Sequence, residues 1–395
     1  MIKHLLKIIW NRKRVNGLIL TEITLSFLVL FAVILMSVLF AVNYGKPLGF
    51  SIERVWAVSV DPHVPTDSNR KAQLEAMATL ESAVRELPQI EAVAGISMSP
   101  YSTSTSIYNT KFEGREVSAH VNDATDAAGE LLKVDLVAGR WFSHEDDGAT
   151  RRPAVINERL AKTLFGSADP IGKELPFDTQ RVVGVVRDFR KAGEMSQPVN
   201  YLLNRIDPLD TANRHFPWDI LVRVKPGTTA EFQEQLSRTL ESTQEGWTFQ
   251  IRRLEAERES SLKDGIAPLA VGAVIAGFLL FMVALGLIGV LWQNISRRTQ
   301  EIGLRRAVGG TALQVHRQIL GELFVLTTFG LAVGSFFIVQ VPLLGLLTEP
   351  EIPSSVYGIG FGVSVILMYL LTMTCGFYPS WLTMEIQPAE ALHYE

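Results

Sequence analysis

Four stretches of the chain, 18–42, 266–291, 319–347 and 356–378, carry almost nothing but apolar residues, and the charged residues gather between them. Glu22 is the one charge in the first stretch and Glu322 the one charge in the third; the second and fourth have none. A hydrocarbon core of about 30 Å takes about 20 apolar residues as a helix, which satisfies its own backbone in lipid. Each stretch is therefore predicted to span a membrane as a helix. The first is longer than the apolar run of a cleaved signal peptide, about 7–15 residues, and is expected to be retained.

Between the first and second stretches the pattern shortens. Alternation at 54–60 and 90–98 predicts two strands. Between them 69–87 reads as a helix, with Leu74, Met77, Leu80 and Val84 on one stripe. The order returns as a strand at 218–224, a turn at Pro226-Gly227-Thr228, a helix at 228–240 and a strand at 247–254. These two units are expected to pack as one membrane-proximal lobe, about 43–100 and 215–254, with 101–214 as an inserted lobe. Within that insert the pattern predicts a hairpin at 107–121 around Glu113-Gly114-Arg115, a helix at 156–165, a turn at 169–172 and a strand at 181–186. A charged helix at 255–263 is expected to run on into the second membrane stretch. The fold class is thus a membrane protein of four transmembrane helices with a large two-lobed α/β domain, 43–265, between helices one and two.

Charge orients this arrangement. Net charge is only -4 over 395 residues, but Lys3, Lys7, Arg12, Lys13 and Arg14 crowd residues 1–17 with no acid. Segment 292–318 holds Arg297, Arg298, Arg305, Arg306 and Arg317 against Glu301, while the link at 348–355 has only Glu349 and Glu351. Positive loops stay inside. The N-terminus and 292–318 are expected in the cytoplasm, 43–265 and 348–355 outside, and the tail 379–395 in the cytoplasm by helix parity. Ile2, Leu5, Leu6, Ile9 and Trp10 share one face of a predicted interfacial helix. The single cysteine, Cys375, lies in the fourth stretch, so the exported domain is expected to hold together without a disulfide.

The basic segment SRRTQEIGLRRAVGG, 296–310, asks for more than orientation. Its helix formers include a Glu301–Arg305 pair at i,i+4, and Gly309-Gly310 end the predicted helix as a hinge. Thr311 to Gln314 then fits a capping box opening the third membrane helix. A capped helix, a glycine hinge and a second helix suggest a docking element.

RRTQEIGLRRAVGG closely resembles the loop motif of MacB/FtsX-type permeases, the type VII ABC transporter group that includes the LolC and LolE lipoprotein-release subunits. The resemblance runs on through LLKIIWNRKR, AGRWFSHEDD at 138–147, INERLAKTLFG at 156–166, DPIGKEL at 169–175, RVVGVVRDFR at 181–190 and the terminal PAEALHYE. It implies a dimer of four-helix subunits, a homodimer or a heterodimer, working in the bacterial inner membrane with two cytoplasmic ATPase domains. It also implies that ATP-driven closure is transmitted across the membrane to the exported domains, for efflux or export. By the same resemblance Thr299, Glu301, Ile302, Leu304, Arg305, Arg306 and Val308 belong to the helix that couples to the ATPase, with Gly309 and Gly310 as its hinge. An adaptor and an outer-membrane channel are further partners the family implies; nucleic acid is not one. Regulation of a cell-wall hydrolase or sensor, as in FtsX members, and lipoprotein release are the alternatives.

A phosphate-binding loop needs G-x-x-x-x-G-K-[ST]. The nearest string, Gly166 to Glu174, has one residue too many and Glu174 where a hydroxyl belongs. ATP and magnesium are therefore expected on a separate ATPase chain, with no cofactor, metal or catalytic residue in this one. His144-Glu145-Asp146-Asp147 lacks a second His at ligand spacing and reads as a solvated acidic turn. His63, His120 and His215 are scattered, and the serines of 97–106 sit in no nucleophile pattern and read as a loop. Gly330 with Gly334, and Gly358 with Gly362, are GxxxG pairs that permit close helix approach, within one subunit or across a dimer seam. Glu22 and Glu322 lie about one turn inside the membrane, where a hydrogen-bonded interfacial role, with Arg14 or Arg317 as partner, is expected.

Overall fold

A computed structural model describes residues 13–63, 70–177, 180–206, 216–297, 311–344 and 352–385. The chain divides into two compact units, Met1–Val42 with Ile266–Glu395, and Asn43–Gly265.

The helices α1 (Lys13–Tyr44), α6 (Leu254–Arg297), α7 (Ala312–Leu343) and α8 (Ser354–Glu385) each contain a segment long and apolar enough to cross a membrane. In the helical unit α1 turns Ile19, Ile23, Phe27, Leu30, Phe31 and Leu35 inward, a stripe at helical spacing. Phe27 meets Phe361 edge-on at 6.0 Å, and Phe31 meets Tyr357 at 5.2 Å. The buried Thr24 hydroxyl answers to backbone, as lipid favours: its Oγ1 donates to the carbonyls of Leu20 at 2.8 Å and Gly330 at 3.1 Å. Much of α6 between Val271 and Trp292 leaves large apolar side chains outward, among them Phe278, Phe281 and Leu285, which suits a lipid or partner-helix surface.

The α/β unit is built on one mixed sheet. Its strands are β1 (Val55–Asp61), β2 (Ile90–Ile96), β3 (Ser106–Phe112), β4 (Arg115–Ala124), β5 (Leu136–Gly139), β6 (Arg152–Asn157), β7 (Gln180–Val186), β8 (Tyr201–Arg205), β9 (Asp219–Val224) and β10 (Thr248–Arg253). Their order is β10-β1-β9-β2-β4-β8-β6-β7-β5, with β3 paired to β4 off that path. The two expected strand–helix–strand units interleave: β9 inserts between β1 and β2, antiparallel to both. Their helices, α2 (Arg70–Arg85) and α5 (Phe232–Thr243), cover one face, where Met77, Leu80, Val84, Leu236 and Leu240 bury against Val58, Ile220 and Val222. Burying each such side chain fully contributes about 1.5–3 kcal/mol.

The two lobes are halves of this one sheet. They meet at a thin joint, a single register pair between Ile96 of β2 and Ala124 of β4. A shared core thickens the joint: Ala57, Ala94 and Leu221 from one half pack with Val155, Val186 and Leu203 from the other. A short helix, α3 (Ala128–Leu131), is tied down by the buried Arg223, whose Nε donates to the Leu131 carbonyl at 3.0 Å.

Several boundaries differ from the sequence pattern. The hairpin keeps its expected turn at Glu113 and Gly114, both with positive φ (49° and 78°), the tight turn whose twist matches paired strands, but it runs longer than expected, from Ser106 to Ala124. The helix expected at 156–165 is α4 (Glu158–Phe165). Ile156 and Asn157 belong instead to β6, and the Asn157 side chain caps α4 by accepting the Leu160 N–H at 3.0 Å. The helix expected from residue 228 starts at Phe232, because Gly227 at φ 84° and the turns after it hold the chain out of the helix.

On α2, Glu81 points at Gly95 of β2, where a Cβ would come within 2.8 Å of its Oε1. Burial pushes this carboxyl up from the ordinary 4.5 to about 7, with Arg85 pulling weakly the other way. The folded state thus holds the proton more tightly than the unfolded chain. Stability therefore falls as pH rises from about 4.5 to about 7. Glu81→Gln is expected to flatten that dependence, a difference of at most about 3 kcal/mol between the two ends. Unfolding temperatures of both proteins across that pH range check it.

Candidate functional site

The predicted docking residues Thr299, Glu301, Ile302, Leu304, Arg305, Arg306 and Val308, the hinge Gly309-Gly310, and the interfacial helix at 1–12 lie outside the described residues. What frames the docking segment is described. α6 reaches Arg297, and α7 opens on a capping box, with the Thr311 N–H donating to Gln314 Oε1 at 3.1 Å and the Gln314 N–H to Thr311 Oγ1 at 3.4 Å.

The glycine pairs part ways. A Cβ on Gly330 would lie 2.7 Å from Ile23 Cγ2, and one on Gly334 would lie 2.6 Å from Phe27 Cδ1, so both bring α7 against α1. Gly358 and Gly362 face nothing within 4 Å; Gly360, between them, packs on Leu35 instead. Gly330→Ala and Gly334→Ala are each expected to cost about 1–3 kcal/mol of bundle stability. Gly358→Ala and Gly362→Ala are expected to stay within about 0.5 kcal/mol. Thermal unfolding of detergent-purified protein checks both, and a loss at Gly358 or Gly362 would mean that another chain covers that face. Of the two membrane acids, Glu22 sits over Gly286 of α6, where a Cβ would stand 2.7 Å from its Oε2, and Glu322 accepts from Gln318 at 3.2 Å.

The remaining expected residues settle into structural roles. Asp146 receives a bidentate Arg140 at 2.7 and 2.6 Å, and Asp147 pairs with Arg205 at 2.6 Å. His144 to Asp146 form one 3-10 turn. Gly172 turns at φ 79°, and Glu174 pairs with Arg151 at 3.0 Å beside strand β7. Among the described residues no three metal-ligating side chains gather.

The site that does emerge lies in the α/β unit, in the loop after β7, and was not singled out from the sequence. The end of α1 with the residues after it, and the first turns of α6, are both bonded to this loop. Arg190, 2% exposed, spends both terminal nitrogens on carbonyls. Nη1 donates to Asn43 at 3.0 Å and Lys46 at 2.9 Å, and Nη2 to Ser196 at 2.6 Å and to Glu194. The Arg190 N–H reaches the Leu48 carbonyl at 2.9 Å, and Gly49, at φ 85°, lies against the Asp188 carbonyl so closely that no side chain fits there.

Glu194, 6% exposed, completes the tie to α6. Its carboxylate pairs with Arg258 of α6 and accepts the Tyr101 hydroxyl at 3.1 Å. Burial first, then the Glu194 charge, raise the Tyr101 pKa. Gly193 leaves no room for a methyl beside the Tyr101 ring, and Met195 Sδ fills the place of a Cβ on Gly265. Lys191 pins the serine loop: its Nζ donates to Ser102 Oγ at 2.9 Å and to the carbonyls of Ser102 at 2.8 Å and Ser104 at 2.5 Å. Burial lowers its pKa to about 8, with Asp219 opposing and Arg252 assisting.

A family model described as the MacB-like periplasmic core domain matches residues 18–239, more than half of the chain, and one described as the FtsX-like permease C-terminal matches 273–388. An ABC transporter permease of Bacillus subtilis, YknZ, is 24% identical over 343 residues, 84% of each chain. The macrolide export ATP-binding/permease protein MacB of Bdellovibrio bacteriovorus is 26% identical over 279 residues, 66% of this chain but 41% of its own length. The chain thus spans less than half of the MacB relatives it matches. Among solved structures, the periplasmic region of MacB from Actinobacillus actinomycetemcomitans is similar over 53% of this chain and 93% of its own, at 15% identity and a TM-score of 0.39. The chain belongs to the MacB/FtsX-type family of ABC transporter permeases, as a multi-pass membrane protein with the family's α/β domain between its first and second membrane helices.

Proposed function

We propose that this chain is the permease subunit of an inner-membrane exporter, and that it transmits ATP-driven movement from a separate cytoplasmic ATPase to its α/β domain outside the membrane. Permeases of this family work with an ATPase, and the MacB relatives are named as joint ATP-binding and permease proteins. Segment 299–308 is the docking segment, with Glu301, Arg305 and Arg306 as its polar contacts and Ile302 and Leu304 as apolar anchors. ATP and magnesium are held by the ATPase, and this chain works by changing shape.

The observation that carries the reading is the loop at 188–196. Both covalent connections to the membrane helices, α1 leaving at Tyr44 and α6 entering at Leu254, are fastened to it, by Arg190 on one side and Glu194 on the other. Each fastening uses one charged, buried and hydrogen-bonded group, Arg190 or Glu194, so neither slides without leaving that ion unpaired. A shift of either helix is therefore delivered to the loop between β7 and β8, and so to the sheet. Two such subunits, a homodimer or a heterodimer, would act together.

Purification from native membranes in mild detergent tests the partner assignment. An ABC ATPase recovered in equal amount supports it. A folded protein that recovers none, even with nucleotide present, removes the coupling role from 299–308. An exported adaptor found beside the ATPase would assign efflux, and a hydrolase would assign cell-wall control.

A further inference from the structure

Lys46 is the first charged residue after Glu22, and it stands just beyond the end of α1 at Tyr44. A helix that crosses a membrane delivers Lys46 to the level of the lipid headgroups. Tyr44 beside it is 53% exposed, an aromatic residue of the kind that gathers at that level. The fold brings more positive charge to the same place. Arg190 Nη1 donates to the Lys46 carbonyl at 2.9 Å. Two residues before Arg190, Asp188 Oδ1 accepts from Asn157 Nδ2 at 3.2 Å. Asn157 caps α4, whose second residue is Arg159. Lys46, Arg159 and Arg190 thus come together from three parts of the chain, with Asp188 among them.

Their charges are not balanced. Arg190 is buried, and the hydrogen bonds of its terminal nitrogens all go to carbonyls. Of the two acids that act on it, Glu194 is taken by Arg258 and Asp188 is held by Asn157 and by the Phe189 N–H at 3.0 Å. Lys46 Nζ has a neutral partner, Asn43 Oδ1 at 2.9 Å. Arg159 is exposed and forms no ion pair among the described residues; Glu158 adjoins it on α4 without pairing to it. Burial first, then Arg190 and Arg159, lower the Lys46 pKa, with Asp188 pulling the other way. Two cations within reach of solvent, backed by a third that is buried, suit a phosphate, whose oxygens accept from both ammonium and guanidinium. At the end of a membrane helix the phosphate at hand is that of a lipid, and each basic residue near an anionic surface adds to the attraction.

We propose that Lys46 and Arg159 together bind the phosphate of an anionic phospholipid at the rim of the membrane, with Tyr44 beside it at headgroup level. A lipid held there braces the end of α1 against α4 and the loop at 188–196. The proposal needs only that α1 crosses a membrane, so it stands apart from the ATPase and the docking segment.

Native mass spectrometry of the full chain in detergent, titrated with phosphatidylglycerol or phosphatidylcholine of matched chains, tests it. Lys46→Gln with Arg159→Gln is expected to weaken this site about tenfold, so that the variant holds about one phosphatidylglycerol fewer per chain at the same lipid concentration, with phosphatidylcholine unchanged. Basic residues at the other end of α1 are the same in parent and variant, so the difference reports this site. Arg159→Gln alone, at an exposed position, should already weaken it several-fold. Lys46→Arg with Arg159→Lys keeps both charges and should stay within about twofold of the parent, as should Lys71→Gln, an exposed lysine on α2. Equal uptake of phosphatidylglycerol by the parent and by both Gln variants would overturn the proposal. So would displacement of the lipid from the parent by millimolar inorganic phosphate, which would make this a site for a free anion. Neither Lys46 nor Arg159 is in an ion pair, so the double variant is expected to fold, with an unfolding temperature in phosphatidylcholine equal to the parent's.

Discussion

Arg190→Met is expected to cost about 3–5 kcal/mol of stability, since it leaves the carbonyls of Asn43, Lys46, Glu194 and Ser196 without their donor in a buried site. For a domain of this size that is a fall of roughly 10 °C in unfolding temperature, read by differential scanning fluorimetry on detergent-purified protein. Arg190→Lys is expected to recover little of it. An ammonium is a point charge with three donors, whereas the guanidinium fork reaches two pairs of carbonyls, one pair from each terminal nitrogen. A fall of less than 2 °C in Arg190→Met would mean that the loop does not fasten the end of α1.

The second large effect concerns function and leaves the fold intact. Replacing Glu301, Arg305 and Arg306 together by alanine is expected to abolish stimulation of the partner ATPase, a loss of tenfold or more, with no change in unfolding temperature. Charged pairs at a docking surface set orientation and rate of encounter, so removing three at once should be felt far more than removing one. ATP hydrolysis by the reconstituted complex measures it. Normal stimulation by a triple variant that still assembles would place docking elsewhere.

What could be read in advance follows the physics of each element. Membrane helices announce themselves because lipid demands long uninterrupted apolar runs. Strands β1, β2, β9 and β10 and the hairpin of β3 and β4 were legible from alternation and turn chemistry. β8 was not: every one of its residues is buried, Asn204 and Arg205 included, so it shows no alternation. β5 is four residues at the sheet edge, too short to carry a period. β6 passes into α4 without a break, so Ile156 was read as helical. The two lobes were visible as separate patterns, but their union in one sheet depends on the pairing of β2 with β4, which local sequence does not encode.

The candidate site was legible only in part. The docking segment stands out by charge and by resemblance. Only the start of the loop, 188–190, falls in the segment 181–190 that resembles the family, and nothing local distinguishes Arg190 from any arginine in a turn. Its role rests on Asn43, 147 residues away, and that of Glu194 on Arg258, 64 residues away. Glycines 193 and 265 make sense only once their neighbours, Tyr101 and Met195, are in place.

Hydrogen exchange on the complex with its ATPase, compared between the nucleotide-free and ATP-trapped states, tests transmission most directly. Protection should change at 188–196 and at 254–265, and the change should vanish in the variant lacking Glu301, Arg305 and Arg306. A bound, hydrolysing ATPase that alters no amide between residues 43 and 265 would contradict the account.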